Sequence, residues 1–364
     1  MDATPLHLLL VHVLLVGALA TLIVAGAVLR FHAWSQKRML IIQRDAETLA
    51  MEFARYVSGG LSGKALRAIT GAVDPQVLWE ALSAFSNNIG GKEWDILSAE
   101  SKDLPGVAHE IAMLGHRTAW RRALAASHLG LINVPDAAEP LRAAMARGPA
   151  EVTLAAALSL ARMGDLPALV WLLEHPESTA DYGRYQLVAL LKRYNPWPYS
   201  ELRRVLRADQ IDMPIHHAAI EVLGLFRDHR SRRRLEALLL ASSFETRVVA
   251  ARALGRIGSP RSIPALQDAL GDPAWQVRAQ AARALGEIGA TEVGPRLAAC
   301  LGDLSWWVRR NSAYALAELG PAGQAILANG AAGSQDRYAR SMCAEALQAL
   351  EWEQENPGGI ARVE

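Results

Sequence analysis

Apolar residues recur every three to four positions along most of the chain, and polar residues fill the positions between them. This spacing is typical of amphipathic helices, whose apolar stripe packs against a neighbouring element. Runs in which Val, Ile and Thr alternate with polar residues between turn signals are missing from the sequence, so strands are not expected. The pattern therefore predicts an all-α protein.

One helical pattern is repeated at an interval of 31 residues. The stretch VRAQAARALGEIG (277–289) is preceded at that interval by TRVVAARALGRIG and followed by VRRNSAYALAELG. The aligned leucines are Leu254, Leu285, Leu316 and Leu347, and the aligned arginines are Arg247, Arg278, Arg309 and Arg340. A period of this length indicates a solenoid, in which each unit buries its apolar face against its neighbours.

The pattern within one unit predicts a helical hairpin. Gly289 suits the left-handed position that follows a helix, and Pro295 suits the first turn of the next one. Alanines between the large apolar residues would let neighbouring helices approach closely. The predicted buried stripe consists of Val277, Ala281, Leu285 and Ile288.

Two segments of this repeat resemble a known family. PALQDALGDPAWQVRAQAARALGEIG (264–289) and PRLAACLGDLSWWVRRNSAYALAELG (295–320) resemble HEAT repeats, in particular the short bacterial type also seen in phycobilisome lyases. The resemblance is specific over 201–352 and weaker over 107–200. It implies a right-handed α-solenoid of about eight helix pairs. It also implies that the Asp of each turn pairs with the Arg that opens the following helix, Asp272 with Arg278 and Asp303 with Arg309, which gives these arginines a structural role.

The N-terminal segment has a different pattern, that of a membrane anchor. Leu6–Leu29 contains no Asp, Glu, Lys or Arg, and a helix of that length rises about 36 Å, more than the hydrocarbon core of about 30 Å. A cleaved signal peptide would begin with positive charge and be shorter, whereas this chain begins MDATP. Basic residues follow the span at Arg30, Lys37, Arg38 and Arg44, so the positive-inside rule places the C-terminal side in the cytoplasm.

These patterns divide the chain into four predicted parts. They are a transmembrane anchor (1–33), a juxtamembrane helical segment with a linker (34–106), a HEAT-like α-solenoid (107–353) and a flexible C-terminal tail (354–364). The juxtamembrane helix is expected to end near Val57, because SGGLSG follows it. The expected location is the inner (cytoplasmic) membrane, with a single span and the N-terminus outside.

Motifs for catalysis or cofactor binding are missing from the sequence. There is no Gly-rich phosphate loop, no GxSxG motif and no Cys/His nucleophile arrangement, so we expect no enzyme activity and no cofactor. Cys300 and Cys343 are too few for a disulfide framework. Asp212, His216 and His217 form the sharpest possible metal cluster, but adjacent histidines point to different sides of a helix.

A metal enzyme of the HEAT type is likewise poorly matched. Deoxyhypusine hydroxylase, a HEAT array, binds its iron through repeated His-Glu dipeptides, whereas this chain has a single one at His109-Glu110. Phycobilin attachment has no support in the sequence either. A metal-dependent or lyase-like enzyme is therefore the least favoured hypothesis.

Basic residues are concentrated in RDHRSRRR (227–234) and in the preceding RRVLR (203–207). A solvated turn is the favoured interpretation, because the formal net charge of the chain is only +1. The alternatives are contact with anionic lipids and contact with DNA, since some HEAT-like arrays bind DNA. A membrane-tethered nucleic-acid-binding array is therefore the alternative function.

The favoured function is a non-catalytic scaffold or adaptor that binds a membrane-associated protein partner on the concave face of the array. A subunit of a membrane synthesis or secretion complex, such as one containing a glycosyltransferase, is one example of this role. Arg, Trp and Tyr are enriched at the energetic centres of protein interfaces. The candidate partner-binding residues are Arg252, Arg256, Gln280, Arg283, Trp307, Asn311, Tyr314 and Tyr338.

Overall fold

The computed structural model describes residues 4–89, 91–194, 196–207 and 213–356; the side chains of residues 4–16, 18, 105 and 353 are outside this description. All regular elements within these ranges are helical, which confirms the all-α prediction. The chain forms two compact units, Met1–Ala144 and Met145–Glu364. The predicted start of the solenoid at residue 107 lies inside the first unit.

The first unit is built on one long helix and five shorter ones. The helices are α1 (Thr4–Val57), α2 (Gly63–Gly71), α3 (Pro75–Asn88), α4 (Lys92–Ser101), α5 (Pro105–Met113) and α6 (Ala119–Leu131), and α7 (Ala138–Arg147) crosses into the second unit. The C-terminal half of α1 packs on α3, where the rings of Phe53 and Phe85 meet edge to face at 5.8 Å. As predicted, this helix ends at Val57.

The predicted membrane span lies in the N-terminal part of α1. Its residues 6–16 and Ala18 fall outside the residues whose side chains are described. Among the helices that the structure does describe, none is both long enough and apolar enough to cross a membrane. In the described remainder of the span, the side chains of Leu22 and Leu29 are 70% and 69% exposed.

The second unit is a helical solenoid. Its helices are α8 (Ala150–Arg162), α9 (Leu166–Glu174), α10 (Arg184–Leu191), α11 (Tyr199–Val205), α12 (Pro214–Leu225), α13 (Arg232–Leu238), α14 (Phe244–Ile257), α15 (Ile263–Ala269), α16 (Trp275–Ile288), α17 (Gly294–Ala299), α18 (Trp306–Glu318), α19 (Pro321–Gly333) and α20 (Arg337–Glu355). The even-numbered helices from α10 to α20 each contact the next and form one row. Helices α13, α15, α17 and α19 each pack on the row helix that follows them.

The predicted core stripe of the repeat is largely confirmed. Val277, Ala281 and Leu285 are fully buried, whereas Ile288 is only half-buried because α16 ends there. Gly289 follows with φ 74°, in the left-handed region that favours glycine. Pro295 lies in the first turn of α17, as expected.

Close approach of the row helices depends on glycines facing alanines. A Cβ atom built on Gly224, Gly255 or Gly286 would lie 2.7–2.8 Å from the Cα atom of an alanine on the next helix. These alanines are Ala253, Ala284 and Ala315. Such distances leave no room for a side chain, so the small residues set the spacing of the row, as predicted for the alanines.

The predicted Asp–Arg pairing is wrong by one repeat. The carboxylate of Asp272 binds Arg247 of the preceding row helix at 2.7 and 2.8 Å, and Asp303 binds Arg278 at 2.8 Å through both oxygens. Arg278 contacts Asp272 only through that residue's backbone carbonyl, at 2.8 Å. Each arginine therefore spans from its own turn to the turn of the following repeat, which links the units in series.

We call the pairs Arg247–Asp272 and Arg278–Asp303 the Asp–Arg ladder. The bond from an arginine to the backbone carbonyl six residues earlier also occurs outside this ladder. Arg309 donates to the backbone carbonyl of Asp303 at 2.7 Å, and its guanidinium lies 5.2 Å from the ring centre of Tyr338. In the first unit, Arg122 of α6 donates to the carbonyl of His116, also six residues earlier, at 2.9 Å. The turn geometry of the repeat therefore recurs in the first unit, where the sequence pattern is weak.

Candidate protein-interaction face

One side of the row helices carries exposed and half-buried polar side chains. On α16, Gln276, Arg283 and Glu287 share this side, because they lie seven and four residues apart on the helix. We call this surface, with its equivalents 31 residues earlier and later, the open face. All predicted partner-binding residues lie on the row helices α14, α16, α18 and α20 that form it.

Two of the predicted residues lie between helices rather than on the open face. Gln280 is only 8% exposed, and its Oε1 lies 3.5 Å from Nε of Arg252. Asn311 is half-buried and donates its side-chain amide to the carbonyl of Ala279 on α16 at 2.8 Å. The prediction that these side chains are exposed is wrong for Gln280 and only partly right for Asn311, because the Gly–Ala contacts bring the row helices so close together.

Aromatic side chains cluster on the open face of α18 and α20. Trp307 and Tyr338 are 51% and 52% exposed, and Trp306 meets Trp307 edge to face with ring centres 4.7 Å apart. Tyr314 donates to Glu345 at 3.5 Å. We call Trp306, Trp307, Tyr314 and Tyr338 the aromatic group.

Arginines lie against three of the four rings of the aromatic group, those of Trp306, Tyr314 and Tyr338. The guanidinium of Arg310 lies 5.7 Å from the ring centre of Trp306 and 4.5 Å from that of Tyr314. That of Arg337 lies 4.6 Å from the ring centre of Tyr338. Cation–π contacts of this kind restrict the rings while leaving their outer faces accessible. The arrangement offers rigid, amphipathic contact area to a partner.

A second group on the row helices combines three arginines with one carboxylate. Glu221 of α12 is buried, with its oxygens 3.1 Å from Arg184, 3.9 Å from Arg252 and 3.2 Å from Arg256. Burial, and then the positive charge of Arg184, lower the pKa of the Arg252 guanidinium below its ordinary value. We call these four residues the Glu221 cluster. Arg252 and Arg256 were predicted from the sequence as site residues, whereas Glu221 and Arg184 become apparent only in the structure.

A cleft of about 860 Å³ adjoins this cluster at the C-terminal ends of α12, α14, α16 and α18. Arg227 lines it with φ 52°, at the position where the following repeats have glycine. The left-handed backbone conformation costs a non-glycine residue about 1–2 kcal/mol, so Arg227 occupies this position at a cost in conformational free energy. Its lining includes the side chains of Arg227, His229, Arg256, Glu287 and Glu318.

Two further exposed aromatic residues precede Trp306 at the repeat interval. Phe244, Trp275 and Trp306 are the first residues of α14, α16 and α18, and each is partly exposed. The prediction from the sequence included only Trp307, one position later, although alignment at 31 residues reveals these three. They add aromatic surface at the N-terminal ends of the row helices.

The histidines do not form a shared site. His216 contacts the carbonyl of Leu173 at 3.1 Å, and His217 contacts the hydroxyl of Thr246 at 2.9 Å. Asp212, the third residue of the possible metal cluster considered above, lies outside the described residues. Within the part of the chain that the structure covers, no group of three metal-ligating side chains is found.

Several arginines of the basic segment are engaged in local contacts. Arg203 pairs with Asp228 at 2.9 Å, Arg232 pairs with Glu236 at 2.5 Å, and Arg234 donates to the carbonyl of Leu206. Arg230 and Arg233 are exposed. Much of the apparent basic patch therefore stabilises the junction between α11, α12 and α13.

Comparison with known families supports the repeat assignment. The family model for HEAT repeats matches residues 201–277 and 263–348. The stretch from residue 201 to residue 348 therefore carries HEAT repeats, in agreement with the solenoid of the second unit. No curated protein matches the chain in sequence.

Several solved structures are similar to the chain at low identity. Human deoxyhypusine hydroxylase in complex with glycerol is 18% identical over 86% of this chain and 98% of that one, with a TM-score of 0.30. The complex of CpcE and CpcF of phycocyanin lyase from a Nostoc species is 20% identical over 70% and 90%, with a TM-score of 0.30. The Pds5–Scc1 complex is 14% identical over 88% and 62%, with a TM-score of 0.33. TM-scores of this size transfer no function to this chain.

Proposed function

We propose that this protein is a non-catalytic, membrane-tethered scaffold that binds a protein partner on the open face of its HEAT repeats. The observation that carries the proposal is the aromatic group, in which Trp306, Trp307 and Tyr338 are exposed and arginines lie against Trp306 and Tyr338. Trp, Tyr and Arg dominate the binding energy of protein interfaces, because they bury large area at a low entropic cost. Without a bound partner these rings remain partly exposed to water, and binding would bury them.

The exposed apolar side chains of α1 support the membrane tether. Leu19, Leu22, Ile23, Val24, Val28 and Leu29 are all more than half exposed. Together with the apolar residues that precede them in the sequence, they complete a segment long enough to cross a bilayer. A tether would confine the array near a membrane-associated partner and raise its effective concentration there.

Partner capture by the full chain tests the interaction face. A crosslinking pull-down in gentle detergent, followed by identification of the captured proteins, would be run with wild type, with Trp307→Ala/Tyr338→Ala and with Trp120→Ala. Trp120 is an exposed tryptophan on α6, so it serves as the matched control. We expect one partner to be lost from the double variant and retained by wild type and control. Equal capture by all three proteins would refute the face assignment.

Membrane fractionation tests the tether separately. Leu22→Arg/Ile23→Arg places two charges inside the apolar segment, where each costs about 2.5–3.5 kcal/mol, and we expect it to shift the protein to the supernatant. Leu40→Arg/Ile41→Arg makes the same change at exposed positions beyond the segment and should remain in the membrane fraction. Identical fractionation of both variants would refute the tether. A reporter fused to the C-terminus would then report which side of the membrane holds the array.

The alternative function is tested by binding to duplex DNA at increasing salt. Phosphate contacts release counterions, so binding by a nucleic-acid array would weaken steeply between low and moderate salt. We expect no such binding. Salt-sensitive binding that is lost on substitution of Arg230 and Arg233 would favour the alternative.

A further inference from the structure

The Glu221 cluster has more positive charge than its own carboxylate can balance. Three guanidiniums lie within 4 Å of a single carboxylate, with Arg184 contributed by α10 and the other two by α14. The side chains of Arg184, Arg252 and Arg256 are about a quarter to a third exposed, so they remain accessible from the open face. The cluster is therefore open to a further anion.

The hydrogen-bonding groups of the cluster are also mostly donors. Each guanidinium carries five N–H groups, whereas the Glu221 carboxylate offers about four acceptor sites. Two buried atoms beside Arg252, the side-chain nitrogen of Gln280 and Oε2 of Glu221, have no hydrogen-bond partner among the described residues. An additional carboxylate on the exposed side of the cluster would accept from the guanidiniums and relieve the mutual repulsion of the arginines.

The surroundings favour a short acidic segment over a long polyanion. The open face also carries Glu245 and Glu345, which would repel a phosphodiester backbone lying along the array. Trp307 of the aromatic group, on α18, lies two row helices away from α14, roughly 16–20 Å at ordinary helix spacing. An extended peptide covers that distance in about five to six residues.

We propose that the Glu221 cluster binds an acidic side chain of the partner peptide whose apolar residues, five to six positions along, contact the aromatic group. This inference rests on the proposed function and specifies the chemistry of the partner. Arg184, Arg252 and Arg256 supply the charge, and Trp307 supplies the apolar contact. The cleft beside Arg256 gives the peptide chain room to continue past the cluster.

Fluorescence anisotropy with a labelled peptide tests the proposal on the full chain in detergent. The probe is the octapeptide Glu-Glu-Gly-Ser-Gly-Ser-Leu-Leu, and the control peptide replaces both glutamates by glutamine. We expect the acidic probe to bind at least about tenfold more tightly than the glutamine peptide, because only the former carries the charge that the cluster lacks. Equal affinities, or no binding of the acidic probe up to roughly 1 mM, would overturn the proposal.

Variants locate the bound charge. Arg252→Gln/Arg256→Gln should weaken binding of the acidic probe at least about tenfold, and Arg184→Gln, at the edge of the cluster, should weaken it several-fold. Arg230→Gln/Arg233→Gln removes the same charge at exposed positions outside the cluster and should leave affinity within about twofold. If the double variant loses its helical circular dichroism, Arg184→Gln alone decides the question. An equal loss in the cluster variants and the control would overturn the assignment.

Two further outcomes separate this proposal from the proposed function. Displacement of the probe by a 12-base-pair DNA duplex, with the same dependence on Arg252 and Arg256, would identify a nucleic-acid site and overturn the acidic-peptide proposal. If partner capture requires Trp307 and Tyr338 but survives Arg252→Gln/Arg256→Gln, the scaffold stands and the acidic site fails. If the probe binds as expected but partner capture is unaffected by Trp307→Ala/Tyr338→Ala, the proposed scaffold function is refuted and the anion site is retained.

Discussion

Arg278 on α16 binds both carboxylate oxygens of Asp303, through Nε and Nη2 at 2.8 Å each, although Asp303 belongs to the turn of the next repeat. Arg247 binds Asp272 in the same way. Bidentate Arg–carboxylate pairs fix orientation as well as distance. Each pair therefore restricts the angle between successive row helices, and the Asp–Arg ladder connects each HEAT unit to the next.

Removing the carboxylate of Asp303 should destabilise the array. Asp303→Asn keeps the shape of the side chain but leaves the guanidinium of Arg278 without its ionic partner, so we expect the free energy of unfolding to fall by about 2–3 kcal/mol. Urea unfolding followed by circular dichroism measures the change. Asp268→Asn, at an exposed position on α15, is the control and should change stability by less than about 0.5 kcal/mol. A similar loss of stability in both variants would contradict a stabilising role for the Asp303–Arg278 pair.

The ladder should also make stability depend on pH. Burial opposes ionisation of Asp272 and Asp303, but hydrogen bonds from Arg247 and Arg278 and from backbone amides outweigh it and hold the pKa of each carboxyl below its ordinary value. A depressed pKa contributes stability that is fully present above the unfolded value of about 3.9 and is lost as pH falls through the folded value. The difference in unfolding free energy between wild type and Asp303→Asn should therefore be constant near neutrality and shrink below about pH 4. A difference that stays constant down to about pH 2 would contradict the ionic origin.

The spacing of the row helices should be sensitive to one methyl group. A Cβ atom at Gly255 would lie 2.8 Å from the Cα atom of Ala284, so Gly255→Ala forces the helices apart. We expect a net loss of about 1–3 kcal/mol in the free energy of unfolding, despite the better helix propensity of alanine. Gly302→Ala, at a glycine with open space around it, should be close to neutral. Thermal melts of both variants measure the contrast, and a stabilised Gly255→Ala protein would show that the row is loosely packed.

The two thiols should be slow to react in the folded protein. Burial raises the pKa of Cys300 and of Cys343, which lowers the fraction of the reactive thiolate near neutral pH. A thiol-specific disulfide reagent such as DTNB should therefore titrate both groups at least about tenfold more slowly in buffer than in denaturant. Rapid native reaction of one thiol would indicate that its helix opens readily.

The repeat, the helix ends and most of the core could be predicted from the sequence, because they depend on neighbouring residues and on periodicity. Gly289 ends α16 in the left-handed region, and Leu285 is fully buried, as the pattern indicates. The end of α1 at Val57 follows from the glycines after it. Predicting these features does not require knowing which helices are neighbours in the folded protein.

The tertiary structure decided which side chains meet across the row. Arg278 selects Asp303 rather than Asp272, and the side chain of Gln280 is buried. Glu221 gathers arginines from α10 and α14, which lie on either side of α12. The sequence could not reveal these contacts, because they depend on the separation and angle of adjacent helices. Those quantities are set by the Gly–Ala contacts of the assembled row, so the chemistry of the open face is determined only when the repeats are stacked.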